Sequence, residues 1–358
     1  MKAALQLLSI KNSFQYTLPN IGKKSPELAV IDVYAVAYLA LTGLAFGINK
    51  ISTKFVITHE TKLFIEHWLK DVNREDYMTL GVRPEGGLLR VTADDIKQST
   101  QHRQVQEALN IILSECEVIN PKPFDLPAQV IRIKDFIDYS VYSSLKLSMS
   151  QDIPWLCIDA NFAYLFSTSG GKVVNAFELL DKLGGKLNFK QKKEGLYLHA
   201  LGILPYPLLF QDLTLLALSN DKHAHYYLAE TIFLYPKAFK NTNIAVDFLS
   251  TLLIPVLGKA FLDGQFAKGL RIRSPSNNGY AERVFNACCY VSMQCNDESS
   301  QVALSMLLCK LFSTFSIVPS LIQLICAMAA RFARGHFLNI PEINENIKML
   351  SDDKEVNK

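Results

Sequence analysis

Leu28-Ala29-Val30-Ile31-Asp32-Val33-Tyr34-Ala35-Val36-Ala37-Tyr38-Leu39 passes from a short apolar block, through one carboxylate, into apolar residues at helical spacing. A buried strand that runs straight into a helix has this form, with Asp32 at the strand's carboxyl end. In an open α/β sheet, ligands bind outside that end. A second stretch repeats the arrangement: Ile153-Pro154-Trp155-Leu156-Cys157-Ile158-Asp159, then Ala160-Asn161-Phe162-Ala163-Tyr164-Leu165-Phe166. Two strand ends that each bring an Asp to one sheet edge suggest a divalent-metal site, because hard cations take oxygen ligands.

Outward from these stretches, strands and helices alternate. Residues 1–25 read as a leader that ends in turn chemistry around Pro19 and Pro26. The first helix runs to about Leu44, with Gly43 and Gly47 to end it. Lys54–Thr58 reads as a second strand, and Thr58 caps a helix from His59 to about Val72. Asp71–Arg90 is polar and turn-rich; Leu88–Val91 reads as another strand, and Thr92-Ala93-Asp94-Asp95 opens a helix through about Cys116. Pro121, Pro123 and Pro127 make 117–130 a loop or extended connection. Asp135 or Asp138 begins a helix through about Met149. Val173-Val174 reads as a last short strand, and Ala176–Leu183 as a last helix, closed by Gly184-Gly185. The alternation implies a parallel sheet with right-handed crossovers. From about Gly195 the chain becomes leucine-rich, with helical stripes at Leu213–Leu218, His225–Phe233, Ile244–Leu257, Glu282–Met293 and Ser300–Phe315. The expected organisation is a leader (1–25), an α/β domain (26–185), a basic linker (186–198), an all-helical domain (199–340) and a polar tail (341–358).

Composition sets wider bounds. A chain of 358 residues holds one large or two ordinary domains, and 49% hydrophobic residues are ample for a core. A net charge of +3 neither requires nor excludes a nucleic-acid partner, since a local patch outweighs the total. Seven irregularly spaced cysteines form no disulfide framework, and the absence of a signal-like apolar core points the same way, to the reducing cytoplasm. Leu311–Ala330 is twenty residues without a charge, long enough to span a bilayer. Its serines, Thr314, Gln323 and central Pro319 favour a buried helix pair or kinked helix over a membrane span.

Residues 28 to about 183 resemble a PIN domain, the nuclease fold of bacterial toxin ribonucleases and RNA-processing enzymes. Three features carry the resemblance. One is the strand–Asp–helix opening, Val30-Ile31-Asp32-Val33-Tyr34. Another is Phe55-Val56-Ile57-Thr58-His59-Glu60, a strand leading into an acidic helix. The third is Tyr142-Ser143-Ser144-Leu145-Lys146-Leu147-Ser148 followed by the strand that ends at Asp159. In particular the chain looks like a bacterial subset in which a PIN domain is joined to other modules. The resemblance implies a parallel sheet sandwiched by helices and a Mg²⁺- or Mn²⁺-dependent phosphodiesterase acting on RNA, less often DNA. One or two such ions activate water for in-line attack and stabilise the leaving oxygen.

Carried over residue by residue, the resemblance places Asp32 at the first acidic position and Asp159 at the final one. Each has a plainer alternative, as the cap of the helix that follows it. For the second acid, Glu60 lies early in its helix, Glu66 lies late, and Phe64 stands where the Glu is expected. For the third, Val141 and Tyr142 carry no ligand; Asp138 is about one turn upstream and Asp135 a turn further. Lys186, Lys190, Lys192 and Lys193 form a basic run able to follow an RNA backbone, with a solvated linker or helix face as the alternative. Gly86-Gly87 and Gly170-Gly171 lack the context of nucleotide loops. Two readings follow. One is a PIN-like endonuclease whose helical domain selects substrate or a regulatory protein, in a toxin-like or phage-defence setting. The other is a scaffold with an incomplete acidic site that works through protein contacts.

Overall fold

The structure is a computed structural model that describes residues 26–72, 78–82, 87–92, 94–95, 99–202, 204–239, 241–263, 279–295 and 297–356. The expected leader lies outside the described residues. Strand β1 is Leu28–Ile31, and Ala29, Val30 and Ile31 are wholly buried. A strand covered on both faces reads as a continuous apolar run rather than an alternation. Helix α1, Val33–Thr42, follows at once. It ends because Gly43 takes the left-handed conformation, φ 74°, and a Cβ there would lie 2.1 Å from the Gln191 carbonyl oxygen. Gly47 does not end this helix; it sits inside the 3₁₀ turn Leu44–Lys50.

Strand β2 (Lys54–Ile57) leads into helix α2 (His59–Val72). Leu88–Thr92 is a strand as expected, but not of the main sheet. It pairs antiparallel with Met78–Val82, inside the stretch read only as turn-rich. These are β3 and β4. Too few residues separate them for a crossover, so they form a hairpin. Thr92 and Asp95 cap one another, with the Thr92 N–H donating to the Asp95 carboxylate at 2.8 Å. The long helix nevertheless starts later, because extended Ser99 (ψ 128°) separates that turn from α3, Thr100–Glu115. The proline-rich connection holds a two-residue strand, β5 (Glu117–Val118), and a short helix, α4 (Ala128–Arg132). Then come α5 (Tyr139–Gln151), β6 (Trp155–Leu156), α6 (Ala160–Thr168) and α7 (Ala176–Gly185).

The sheet has the order β5-β2-β1-β6 and is parallel throughout. The expected strand at Val173-Val174 contracts to one parallel bridge between Val173 and Trp155. Helices flank the sheet, and a core gathers around Trp155, with Val30, Val56, Val141, Leu145 and Phe166.

The chain divides into two compact units. One reaches Leu198 and takes in Leu204–Pro207; the other starts at His199 and continues from Leu208. The stretch expected as a linker is therefore largely a helix, α8 (Phe189–Ala200). Up to Leu198 it is fixed in the first unit, where Gln104 donates to the Gln191 carbonyl at 3.0 Å; the Tyr38 hydroxyl ties in the later segment by donating to the Pro205 carbonyl at 2.7 Å. The second unit is helical. It comprises α9 (Phe210–Leu218), α10 (Lys222–Leu234), α11 (Thr242–Leu262), α12 (Gly279–Ser292), α13 (Ser300–Thr314), α14 (Pro319–Gly335) and α15 (Ile340–Val356). The expected polar tail is thus the last helix. Leu311–Ala330 is not one span, because the chain leaves α13 at Phe315 and re-enters helix at Pro319, where a missing N–H costs nothing. Among the described residues, α11 is the one single helix long and apolar enough to cross a membrane, and half of its apolar window is buried against other helices. All seven cysteines are free.

Candidate active site at the carboxyl edge of the sheet

Strand register lines up the strand ends. Ile31 pairs with Leu156, Val30 with Val56, and Ile57 with Val118. One residue further on, Asp32 stands level with Thr58 on one side and Cys157 on the other. Each exit is closed by a cap, which is why the sequence places an oxygen-bearing side chain there. Asp32 accepts the Ala35 N–H at 2.7 Å. Thr58 accepts the Thr61 N–H at 3.2 Å, and Asp159 the Phe162 N–H at 2.8 Å. Asp138 accepts the Ser140 N–H at 2.8 Å and caps α5. Because α5 returns to the start of β6, its first residue also belongs to this edge.

The acids differ in setting. Asp32 is 2% exposed. Burial raises its carboxyl from 3.8 to about 6, opposed by the N–H groups of Ala35 and Tyr34 and by the Trp155 indole. Among the described residues it has no ion pair. Asp159 and Asp138 are exposed. Cys157 lies between the two strand-end aspartates. Its buried thiol donates to the Asp159 carbonyl at 3.2 Å and is held well above the ordinary thiol range, by burial and then by the charges of Asp32 and Asp159. Glu60 is half-buried and accepts the Ser143 hydroxyl at 2.8 Å. Glu66 pairs with Lys62 at 3.7 Å, one turn back on the outer face of α2. Asp135 is exposed in a 3₁₀ turn.

Around Val141 and Tyr142, where a third acid is sought, α5 offers hydroxyls instead. Ser143 holds Glu60, and Ser144 lies 3.5 Å from Thr61, itself 3.1 Å from Thr58. Among the described residues, no three His, Cys, Asp or Glu side chains gather closely enough to enclose a metal ion. A less enclosed site needs fewer protein ligands. Mg²⁺ keeps several waters and is bound through one or two carboxylates plus substrate phosphates. A buried carboxylate without a cationic neighbour is also the group that gains most from one. Sequence reasoning took Trp155, Cys157 and Ser143 as core and helix positions; their roles come from register and tertiary packing.

The four lysines do not act together. Lys192 is 5% exposed, which removes it from any basic surface. Lys193 lies over the Tyr197 ring at 5.2 Å. Lys186 is exposed beyond α7. Lys190 lines an open polar cleft of about 370 Å³ with Arg103, Gln104, Glu107, Asn188 and Phe46.

Residues 30–167 match the family model of the PIN domain associated with the TPR-GreAB-C-PIN system. The chain carries an N-terminal PIN domain, a nuclease-like scaffold of a family that typically uses divalent metals and binds nucleic acid. Neither curated proteins nor solved structures give a match.

Proposed function

We propose that the PIN domain is a Mg²⁺- or Mn²⁺-dependent endonuclease that hydrolyses RNA in preference to DNA. The observation that carries this reading is Asp32: a carboxylate 2% exposed, at the end of an inner strand, without an ion pair among the described residues, and beside β6, whose exit leads to Asp159. Asp32 and Asp159 would hold the ion. When bound, it would supply charge for a scissile phosphate and a water ready to lose its proton. Glu60, oriented by the Ser143 hydroxyl, is a carboxylate suited to hold a water by hydrogen bond. Asp138 is an outer acid of the same edge, and Glu66, engaged with Lys62, stays outside the set. Lys190 and Lys193 are the candidates for backbone contact. The helical unit would select substrate or bind a regulatory protein. A nuclease must be restrained inside its own cell, so a cytoplasmic toxin-like or phage-defence setting suits it; that step is analogy.

A second reading has its own observation. The hydroxyls of Ser143 and Ser144 stand beside the positions where the third acid is sought, which suits a scaffold that has given up metal and works through protein contacts. One experiment separates the two. Purified protein is titrated with Mn²⁺ in the presence of end-labelled single-stranded RNA or DNA, wild type beside Asp32→Asn and Asp159→Asn. Metal-dependent RNA cleavage lost in both variants supports the nuclease. No Mn²⁺ binding at millimolar concentration supports the scaffold.

A further inference from the structure

Trp155 is wholly buried, yet among the described residues its indole N–H has no hydrogen bond of ordinary geometry. Buried Trp N–H groups nearly always find a partner. Trp155 pairs with Val30, two residues before Asp32, so Trp155 and Asp32 lie on the same face of neighbouring strands, and the indole favours the charged form of that carboxylate. The other side of the ring belongs to α6. Phe162 and Phe166 meet it edge-on, with centroids at 5.3 and 5.1 Å. Phe162 is also the residue whose backbone N–H holds the Asp159 carboxylate. Backbone bonds fix Trp155 on both flanks: Val30 N–H to the Pro154 carbonyl at 2.9 Å, Trp155 N–H to the Lys172 carbonyl at 3.0 Å, and Val174 N–H to the Trp155 carbonyl at 2.9 Å.

We infer that Trp155 is a positioning residue for both strand-end carboxylates, its indole N–H orienting Asp32 and its ring orienting the helix that Asp159 caps. This rests on the reading of these acids as the metal-binding pair, and it adds a residue that touches neither ion nor substrate. Groups that orient metal ligands typically change affinity by about 10- to 100-fold when lost. Trp155→Phe keeps an aromatic ring, removes the N–H and leaves a small cavity where the second ring stood.

The test combines Mn²⁺ titration with the indole N–H resonances of metal-free protein. The chain has two tryptophans, so Trp68→Phe assigns both signals. Trp155→Phe should lose melting temperature to that cavity, stay folded at 25 °C, and bind Mn²⁺ about tenfold more weakly. The Trp155 indole signal should move in Asp32→Asn and on adding Mg²⁺, while that of Trp68 stays. Unchanged Mn²⁺ affinity in Trp155→Phe, with binding lost in Asp32→Asn, overturns the inference and leaves the metal-site reading standing. Equal Mn²⁺ binding by wild type and Asp32→Asn overturns the metal-site reading instead. A Trp155 indole signal that ignores Asp32→Asn in metal-free protein overturns the inference even if Trp155→Phe fails to fold.

Discussion

Removing the charge of Asp32 should stabilise the metal-free protein while destroying its proposed activity. The carboxyl sits at about 6 in the folded chain against an ordinary 3.8. At about 1.36 kcal/mol per pH unit, that gap makes ionised Asp32 cost the fold about 3 kcal/mol at pH 7. The sign follows from linkage. Between about pH 4 and 6 the folded state holds more proton than the unfolded, so stability from this group falls as pH rises and is flat above. Asn keeps a side-chain carbonyl for the Ala35 N–H and carries no charge. Asp32→Asn should therefore match wild type near pH 4 and exceed it at pH 7, by at most about 3 kcal/mol. In a unit of this size that is roughly 6–12 °C. The assay is a set of thermal melts in EDTA from pH 4 to 8, repeated with Mg²⁺. Bound cation should raise wild type and leave Asp32→Asn unmoved, closing the gap. Asp32→Asn less stable than wild type at pH 7, by the same amount as at pH 4, would refute the reasoning and leave Asp32 as an ordinary cap.

Other outcomes follow from named contacts. A Cβ on Gly171 would meet the Phe166 ring at 2.2 Å, so Gly171→Ala should cost about 1–3 kcal/mol in urea unfolding, by pushing that ring against Trp155. Ser143→Ala frees Glu60 and should cost about 1 kcal/mol in the same assay, with a larger proportional loss in cleavage than in RNA binding. Lys190→Ala should reduce the salt dependence of RNA binding by about one counterion; Lys192→Ala should act on stability and leave that slope alone.

Local chemistry made much of the fold legible. At Asp32, Asp138 and Asp159 an oxygen-bearing residue follows an apolar run or a loop and opens a helix, and the structure uses all three as caps. The flanking apolar runs fixed strand and helix types for the same reason. Three features were hidden. β3 escaped notice because it is five residues long and carries Gly81 within a polar, turn-rich stretch, which masks the alternation of Met78, Leu80 and Val82. Helix α8 looked like a linker because its lysines suggest solvent on every side, although Lys192 packs inward. Which acids share a site depends on register and on how α2 meets α5, and no short window of sequence contains either. The Asp32–Trp155–Phe162 chain is of that kind: its members are close only because β6 lies beside β1.

The β3–β4 ribbon bears on how the protein behaves in the tube. Met78, Leu80 and Val82 alternate along one strand with Leu88 opposite Val82, all exposed, and among the described residues each strand pairs only with the other. Unpaired strand edges of this kind template strand addition between copies. Concentrated samples should therefore self-associate reversibly, with a sedimentation profile that shifts with concentration. Leu80→Lys should abolish the shift and leave the melting temperature of the parallel sheet where it was.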